Sequence, residues 1–300
     1  MSIFNISQTN IGFVLAISGA FILSLEVLFL RSFTDVEGFQ IMFYRSISVS
    51  VVFFLYISLF TNTKDRVFSV RNNVKEILSG LFLGISFFCY IFSILNSSVA
   101  SSLLILSVSP VFAAILSQYF LKEKLPKQIF FILIILVVGL IFIFKNSLTE
   151  SQTFGNIIAL IGAFFFASSV VASRAIGSNK IAFGGFFAGT FALVITVLCL
   201  LAFNISLYIE TKTMILIFLM GLFTTGLGML LLLSSTKYIL GPYVSLIALL
   251  EVILAPIWSL IFYSEKIRFE ELVGGFLILA SIIFLVGITN FNQIKNKNNL

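Results

Sequence analysis

Histidine is absent from this chain of 300 residues, and cysteine occurs only twice. Without an imidazole, the chain has no histidine to ligate a metal, act as a general base or relay protons. Cys89 and Cys199 both lie inside apolar runs, so a disulfide framework is not expected. Charge is also scarce, because 10% of the residues are charged against about 25% in a typical soluble domain. We therefore expect neither a metal nor a cofactor.

Long apolar runs dominate what is present, and 60% of the residues are hydrophobic. Runs of about 20 residues are long enough to cross a bilayer as helices. The pattern predicts an all-α polytopic membrane protein. The first ten residues carry no lysine or arginine, so we expect no cleaved signal peptide. Ten transmembrane spans are predicted at 11–30, 39–60, 76–95, 99–121, 127–145, 154–174, 182–203, 213–235, 241–263 and 271–289.

The basic residues fall unevenly on the two sides of these spans. One side, which carries both termini and the basic connection between Thr61 and Lys75, holds twelve of the 18 lysines and arginines. The other side holds five, and Arg45 lies within a span. The positive-inside rule places the richer side in the cytoplasm. We expect an inner-membrane protein of bacterial type with both termini cytoplasmic. The net charge of +6 is thus a topology signal rather than a nucleic-acid patch.

The two halves of the chain repeat one another. Spans 4 and 9 match at a displacement of 142 residues, which superposes Glu123-Lys124 on Glu265-Lys266, and spans 3 and 8 share Gly-Leu-Phe at Gly80 and Gly221. Spans 1 and 6 match at a displacement of 143 residues, which places Gly12, Ala16, Gly19, Ala20, Phe21 and Arg31 on Gly155, Ala159, Gly162, Ala163, Phe164 and Arg174. Three matches in order at a nearly constant displacement indicate an internal repeat.

Five spans per half is an odd number, so the second half must enter the membrane from the opposite side. The sequence therefore predicts two inverted five-helix repeats, at residues 1–146 and 147–290, followed by a polar tail at 291–300. Inverted-repeat membrane proteins commonly hold a substrate near the midplane and alternate its access by rocking the halves. Architecture is the main argument for function at this point.

Three charged side chains are predicted to lie within the bilayer. A carboxylate at this depth costs about 2.5–3.5 kcal/mol, and such residues are usually functional. Glu251, halfway along span 9, is expected to face a cavity and to bind an amino group or carry a proton. The alternative is a structural role, either in a pair or as a protonated carboxyl hydrogen-bonded to a neighbouring helix. Glu26 in span 1 could line the cavity mouth or pair with Arg31 or Arg45. Arg45 in span 2 could hold an acidic group of the substrate or neutralise Glu26 or Glu37.

Polar and aromatic residues supply further candidates. Ser102 and Ser109 lie near helical spacing on one face of span 4, where they either pack helices closely or form a polar wall. Tyr90, Tyr243 and Trp258, the last being the only tryptophan, could stack on a ligand.

Two prolines lie inside predicted spans, and basic residues lie at span ends. Pro110 and Pro256 are expected to kink spans 4 and 9, either as hinges or as fixed bends. Arg31 and Arg174, at span ends, are expected to reach the lipid headgroups.

The ends of the two halves carry a family resemblance. Each has a proline-containing span, then an acidic residue, then a glycine in the next span, as in FLKEKLPKQIFFILIILVVGLIFIF from Phe120 and LLEVILAPIWSLIFYSEKIRFEELVGGFLILASIIFLVG from Leu249. This layout resembles ten-span transporters of the EamA family, within the drug/metabolite transporter superfamily, over nearly the whole chain. The resemblance implies transport of amino acids, other small metabolites or drugs, often outward.

A secondary transporter of a small metabolite, working by alternating access, is the predicted function. An amino acid or similar amphipathic zwitterion, moved outward, satisfies both the acidic and the basic candidates. No Walker motif is present, so a proton gradient or exchange is the expected energy source. A channel or a non-transporting scaffold is the alternative. An intramembrane enzyme is less expected, because Asp35 and Asp65 lie in loops and histidine is lacking.

Overall fold

The structure is a computed structural model that describes most of the chain. The ranges are 8–30, 32–33, 36–60, 74–96, 99–123, 130–131, 133–135, 138, 153–176, 180–264, 273, 276–277 and 280. Arg31, most of the 61–75 connection, Glu265-Lys266, the tail and most of the predicted spans 127–145 and 271–289 lie outside the described residues.

Every regular element in the described ranges is helical. The helices are α1 (Gln8–Ser24), α2 (Glu26–Leu30), α3 (Gly38–Phe60), α4 (Val74–Asn96), α5 (Val99–Leu106), α6 (Ser109–Phe120), α7 (Thr153–Ala175), α8 (Ile181–Phe203), α9 (Thr211–Met220), α10 (Leu227–Ser235), α11 (Gly241–Ala248) and α12 (Leu250–Tyr263). A π-helical turn, Gly221–Gly226, joins α9 to α10.

Seven described stretches are long and apolar enough to cross a membrane: Gln8–Leu30, Gly38–Phe60, Val74–Ser93, Thr153–Ala175, Ile181–Phe203, Thr211–Ser235 and Gly241–Tyr263. They correspond to seven of the ten predicted spans and show an all-helical polytopic membrane protein. The predicted span 4 is built differently, as the two short helices α5 and α6. The full count of ten stays a prediction.

Three of the predicted spans are interrupted, and each interruption has the same local form. At Leu25, Val108 and Leu249 the backbone N–H bonds to the carbonyl three residues back, at 3.2, 3.1 and 3.2 Å, instead of four back. Pro110 explains the break before α6, because its ring clashes with the carbonyl four residues back, that of Leu106 at the end of α5, and it has no N–H to donate. Pro256 lies within α12, which runs past it without interruption. The break in the predicted span 9 is at Leu249, seven residues earlier.

Close helix approaches hold the described helices together. α4 packs along α7 and α8, α3 packs along α8, and α1 packs along α10. A Cβ added at Gly19 would lie 2.7 Å from the carbonyl oxygen of Gly228, and one added at Gly80 would lie 2.7 Å from that of Gly184. Backbones this close require glycine at the crossing, as is common between membrane helices.

The outer surface of the bundle is apolar. Large hydrophobic side chains such as Leu59, Leu201 and Phe203 are 64–71% exposed. In a soluble protein a continuous surface of this kind would be a liability. Around a membrane bundle it is the surface that faces lipid.

Candidate functional site

A cavity of about 80 Å³ lies where the interruptions of the helices converge. This volume holds a small cluster of water molecules or a polar headgroup. Its charged and polar lining residues come from five helices, namely Glu26, Arg45, Ser86, Tyr90, Ser109 and Glu251. Its apolar lining is Leu23, Phe87, Leu103, Leu106, Phe166, Met229, Ala248, Leu249 and Val252.

Glu26 and Arg45 form a buried ion pair on one wall of the cavity. The break at Leu25 places Glu26 at the first residue of α2, and its side chain reaches Arg45 on α3, with Arg45 Nε 2.9 Å from Glu26 Oε1. The two side chains are 2% and 5% exposed, respectively. Such a pair is tolerated in a low-dielectric interior only when further hydrogen bonds complete it.

Thr225 supplies those hydrogen bonds. Its hydroxyl accepts from Arg45 Nε at 3.0 Å and donates to Glu26 Oε2 at 2.9 Å. The residue lies in the π-helical turn between Gly221 and Gly226, which packs against α3. A π turn inserts one extra residue and changes the direction of the side chains that follow, and such turns are common at functional sites.

The rest of the Arg45 guanidinium is also occupied. Its carbon lies 5.1 Å from the centre of the Phe87 ring and 5.8 Å from that of Tyr90. Nη2 lies 3.4 Å from Glu26 Oε2, and Nη1 lies 3.6 Å from the sulfur of Met42. Of the alternatives open from the sequence, the structure shows Arg45 neutralising Glu26.

Glu251 stands apart from this pair. The break at Leu249 makes it the second residue of α12, where the positive end of a helix dipole favours a carboxylate. Its side chain is half-buried and lines the cavity, as does Tyr90 beside it. Ion pairs in the described part of the chain are formed by Glu26 and Glu123, and none by Glu251. Its carboxyl group therefore faces the cavity without a basic partner among the described residues.

The other candidates divide between the cavity and its surroundings. Ser109, the first residue of α6, lines the cavity, whereas Ser102 is fully buried outside it. Tyr243 is buried and stacks on Phe13 with ring centres 6.5 Å apart. Trp258 donates from Nε1 to the Ser24 hydroxyl at 2.9 Å and does not line the cavity.

Arg174 takes part in a polar cluster at the far end of the bundle. Its Nε lies 2.7 Å from Glu123 Oε1, and its Nη1 donates to the carbonyl oxygen of Thr236 at 2.6 Å. The cluster ties the ends of α6, α7 and α10 together, and we call these three residues the latch. Sequence reasoning expected Arg174 to reach headgroups, but it is bound to protein. The neighbouring Lys237, outside the candidate spans, is half-buried, and burial lowers the pKa of its amine.

An apolar cluster lies at the opposite end. Val27, Leu103 and Ala255 pack together with Tyr90 and Val252 partly buried against them. Beyond this cluster, the Tyr263 hydroxyl donates to the Leu28 carbonyl oxygen at 2.5 Å, joining α12 to α2. The cavity therefore lies between an apolar layer at one end and the latch at the other.

Sequence reasoning missed Thr225 and Phe87. Thr225 had one usable signal, the Gly-Leu-Phe-Thr-Thr-Gly stretch, in which two glycines flank adjacent hydroxyls within an otherwise apolar span. Phe87 had none, because 37 phenylalanines occur in the chain and its neighbours in sequence do not distinguish it.

Together, the fold and the cavity define a class: a polytopic α-helical membrane protein whose interrupted helices surround an internal polar cavity. The sequence profile of the EamA-like transporter family matches residues 10–145 and 153–287. The chain therefore belongs to this family, and the resemblance predicted from the ends of its two halves is confirmed. It is an integral membrane transporter by family, which agrees with the prediction that it is not an enzyme.

Two named transporters are similar in sequence to this chain over most of its length. The pseudopaline exporter CntI of Pseudomonas aeruginosa (strain UCBPP-PA14) is 22% identical over 278 residues, covering 91% of this chain and 95% of the exporter. The uncharacterized transporter YxxF of Bacillus subtilis (strain 168) is 22% identical over 258 residues, covering 85% and 83%. A protein of known crystal structure shares the fold, with a TM-score of 0.71 and 16% identity over 92% of this chain and 95% of that one.

Proposed function

We propose that this protein is a secondary transporter that exports a small amphipathic metabolite bearing an amino group, such as an amino acid or similar zwitterion, by alternating access. The observation that carries the proposal is the internal cavity lined by the unpaired Glu251 and placed at the interruptions of three helices. Discontinuous helices at bilayer depth expose backbone groups and helix ends to a substrate. The direction follows the relative named as an exporter.

Helix packing supports an inverted repeat of ten helices. The repeat relates span 1 to span 6 and span 3 to span 8, so the packing of span 1 on span 8 should be matched by the packing of span 6 on span 3. Both pairs do pack extensively, the first as α1 with α10 and the second as α7 with α4. Gly19 packs between Gly228 and Leu232, while Gly162 packs against Cys89. The displacement of 143 superposes residue 19 on residue 162. The displacement of 141, which superposes Gly80 on Gly221, places residue 89 on residue 230, between 228 and 232. The two glycine contacts are therefore equivalent under the repeat. We infer repeats at 1–146 and 147–290.

The interruptions follow the same displacement. Adding 142 to Val108 gives Leu250, next to the break at Leu249, and adding 142 to Ser109 gives Glu251, so the two proposed repeats break within one residue of the same place. The two residues then lie on matching walls of the cavity, one a hydroxyl and the other a carboxyl. In this proposal the breaks allow the outer and inner parts of spans 4 and 9 to move separately, with the hinge of span 4 at Pro110 and that of span 9 at the Leu249 break rather than at Pro256.

The two ends of the bundle fit alternating access. With both termini in the cytoplasm of a bacterial cell, as the basic residues indicate, the latch closes the cytoplasmic end and the Val27–Leu103–Ala255 layer lies toward the outside. Opening to the cytoplasm then requires the latch to separate. Glu251 would carry the proton or the amino group that is exchanged, so a proton gradient or exchange drives the cycle.

Flux in proteoliposomes tests the proposal. Purified protein reconstituted into liposomes is loaded with an unlabelled amino acid or amine, and uptake of the labelled compound is followed. A carrier shows flux that saturates and is accelerated by substrate on the far side. Flux that rises linearly with concentration and shows no counterflow would support the channel alternative instead. Glu251→Gln should abolish the flux, while the exposed Glu210→Gln, which makes the same chemical change outside the cavity, should leave it unchanged.

A further inference from the structure

The cavity lining contains charged residues of both signs, but they are not equally accessible to a substrate. Three charged residues line it, namely Glu26, Arg45 and Glu251. The first two neutralise each other at 2.9 Å and are closed off by Thr225, Met42 and the Phe87 ring. The described lining thus presents a substrate with one accessible charged group, a carboxyl, and with no free cation.

From this distribution of charge we propose that the cavity recognises its substrate by the substrate's ammonium group, held at Glu251 and Tyr90. A substrate carboxylate has no binding partner there. The inference rests on the proposed transport function and narrows its substrate class. It predicts that a primary amine is a better ligand than the amino acid from which it differs only by the carboxylate.

The chemistry of the wall fits an ammonium group. A carboxylate is the strongest acceptor for an N⁺–H donor, and hydrogen bonds between charged groups are roughly twice as strong as neutral ones. The Tyr90 hydroxyl is buried beside the Glu251 carboxyl, and its oxygen offers a second acceptor. A primary ammonium group, with three donors, can bond to the Glu251 carboxylate and the Tyr90 hydroxyl together.

A substrate carboxylate meets the opposite situation. Arg45 could receive it only by releasing Glu26, and the displaced carboxylate would then be buried without a cation. Removing one partner of a buried ion pair is strongly unfavourable, so this exchange is not a binding mode that the geometry supports. A zwitterion must instead leave its carboxylate in water or unpaired in the cavity.

Matched ligand pairs test the inference. Wild-type protein in nanodiscs is titrated by calorimetry with phenylalanine, phenethylamine and 3-phenylpropionate, and with leucine, isopentylamine and 4-methylpentanoate. The expected order is amine, then amino acid, with no binding of the acid, and with each amine roughly 10- to 100-fold tighter than its amino acid, the range of a hydrogen bond to a charged group. Glu251→Gln should lower amine affinity by a similar factor, and Tyr90→Phe by a few-fold.

Further variants separate recognition from folding. Glu251→Asp keeps the charge and should keep the preference for amines even if affinity falls, whereas Glu210→Gln should change neither. Amino acids binding more tightly than their amines, binding of either acid, or unchanged amine affinity in Glu251→Gln would each overturn the inference. Failure of every amine to bind would overturn it too, while saturable flux of some other solute in liposomes would leave the transport function standing.

Discussion

The buried Glu26–Arg45 pair allows the stability of the cavity wall to be predicted quantitatively. Glu26→Gln keeps the shape of the side chain but removes its charge, which leaves Arg45 buried at 5% exposure with no counter-ion. Breaking one partner of a buried pair costs about 3–5 kcal/mol. With about 2.1 cal/mol/K of unfolding entropy per residue, 300 residues convert this loss to a fall of about 5–8 °C in Tm.

Removing both charges should cost much less than removing one. In Glu26→Gln/Arg45→Met neither charge remains, and replacing a buried pair by uncharged groups of similar volume is often neutral or stabilising. We therefore expect the Tm of the double variant to lie within about 3 °C of the wild type. Thermal unfolding of all four proteins in one detergent gives the coupling between the two residues.

The two single variants should also differ in their response to pH. Arg45→Met leaves a carboxyl group that can take up a proton and become neutral, so its Tm should recover toward the wild type as the pH falls. Glu26→Gln leaves a guanidinium, which cannot lose its proton in a protein, so its Tm should not recover. Because Glu251 lines the same cavity, the pH series is repeated in a Glu251→Gln background. Single variants that cost under about 1 kcal/mol, or a double variant that costs their sum, would refute the reasoning.

Three further predictions concern the fold around the cavity. Gly19→Ala should destabilise the protein by about 1–3 kcal/mol, because the new Cβ would lie 2.7 Å from a carbonyl oxygen of α10; the measurement is the Tm in detergent. Trp258→Phe keeps the ring but loses the 2.9 Å hydrogen bond to Ser24, which should cost about 1 kcal/mol in the same assay. Arg174→Gln should raise the rate at which a cysteine introduced at the fully buried Ser117 reacts with a soluble maleimide, because the latch no longer closes that end.

Each of these has a matched control. Gly241→Ala, in the other half, places a methyl at ordinary van der Waals distance from its neighbours, the nearest being Ser117 Oγ at 3.4 Å, and should leave Tm nearly unchanged. Trp258→Leu removes the ring as well and should cost more than phenylalanine; an equal cost would mean that the hydrogen bond alone contributes. The maleimide assay is run with Cys89 and Cys199 replaced by alanine, and an unchanged rate in Arg174→Gln would show that the latch does not limit access.

The length of the apolar runs was enough to predict the seven membrane helices that the described residues show, because hydrophobic runs of span length have few alternative explanations. Glu251 was identified for the same reason: a carboxylate in such a run is costly unless a cavity accommodates it. The partner of Arg45 was not decided, since the choice between Glu26 and Glu37 depends on which side of a helix each faces across a tertiary contact. The break at Leu249 was missed because leucine carries no breaking signal, whereas Pro256, which does, lies in an uninterrupted helix.

The π turn at Gly221–Gly226 has a mechanical consequence. It contains one residue more than an α-helical turn would need, so the helix that includes α9 and α10 is locally underwound. Rewinding the turn as α-helix would rotate one half against the other by about 100° and shift it by about 1.5 Å. Thr225 sits in this turn and holds the Glu26–Arg45 pair, so the rotation would withdraw its hydroxyl from both. A change between π-helical and α-helical winding in this one turn would therefore alter the hydrogen bonding of the buried ion pair in the cavity wall.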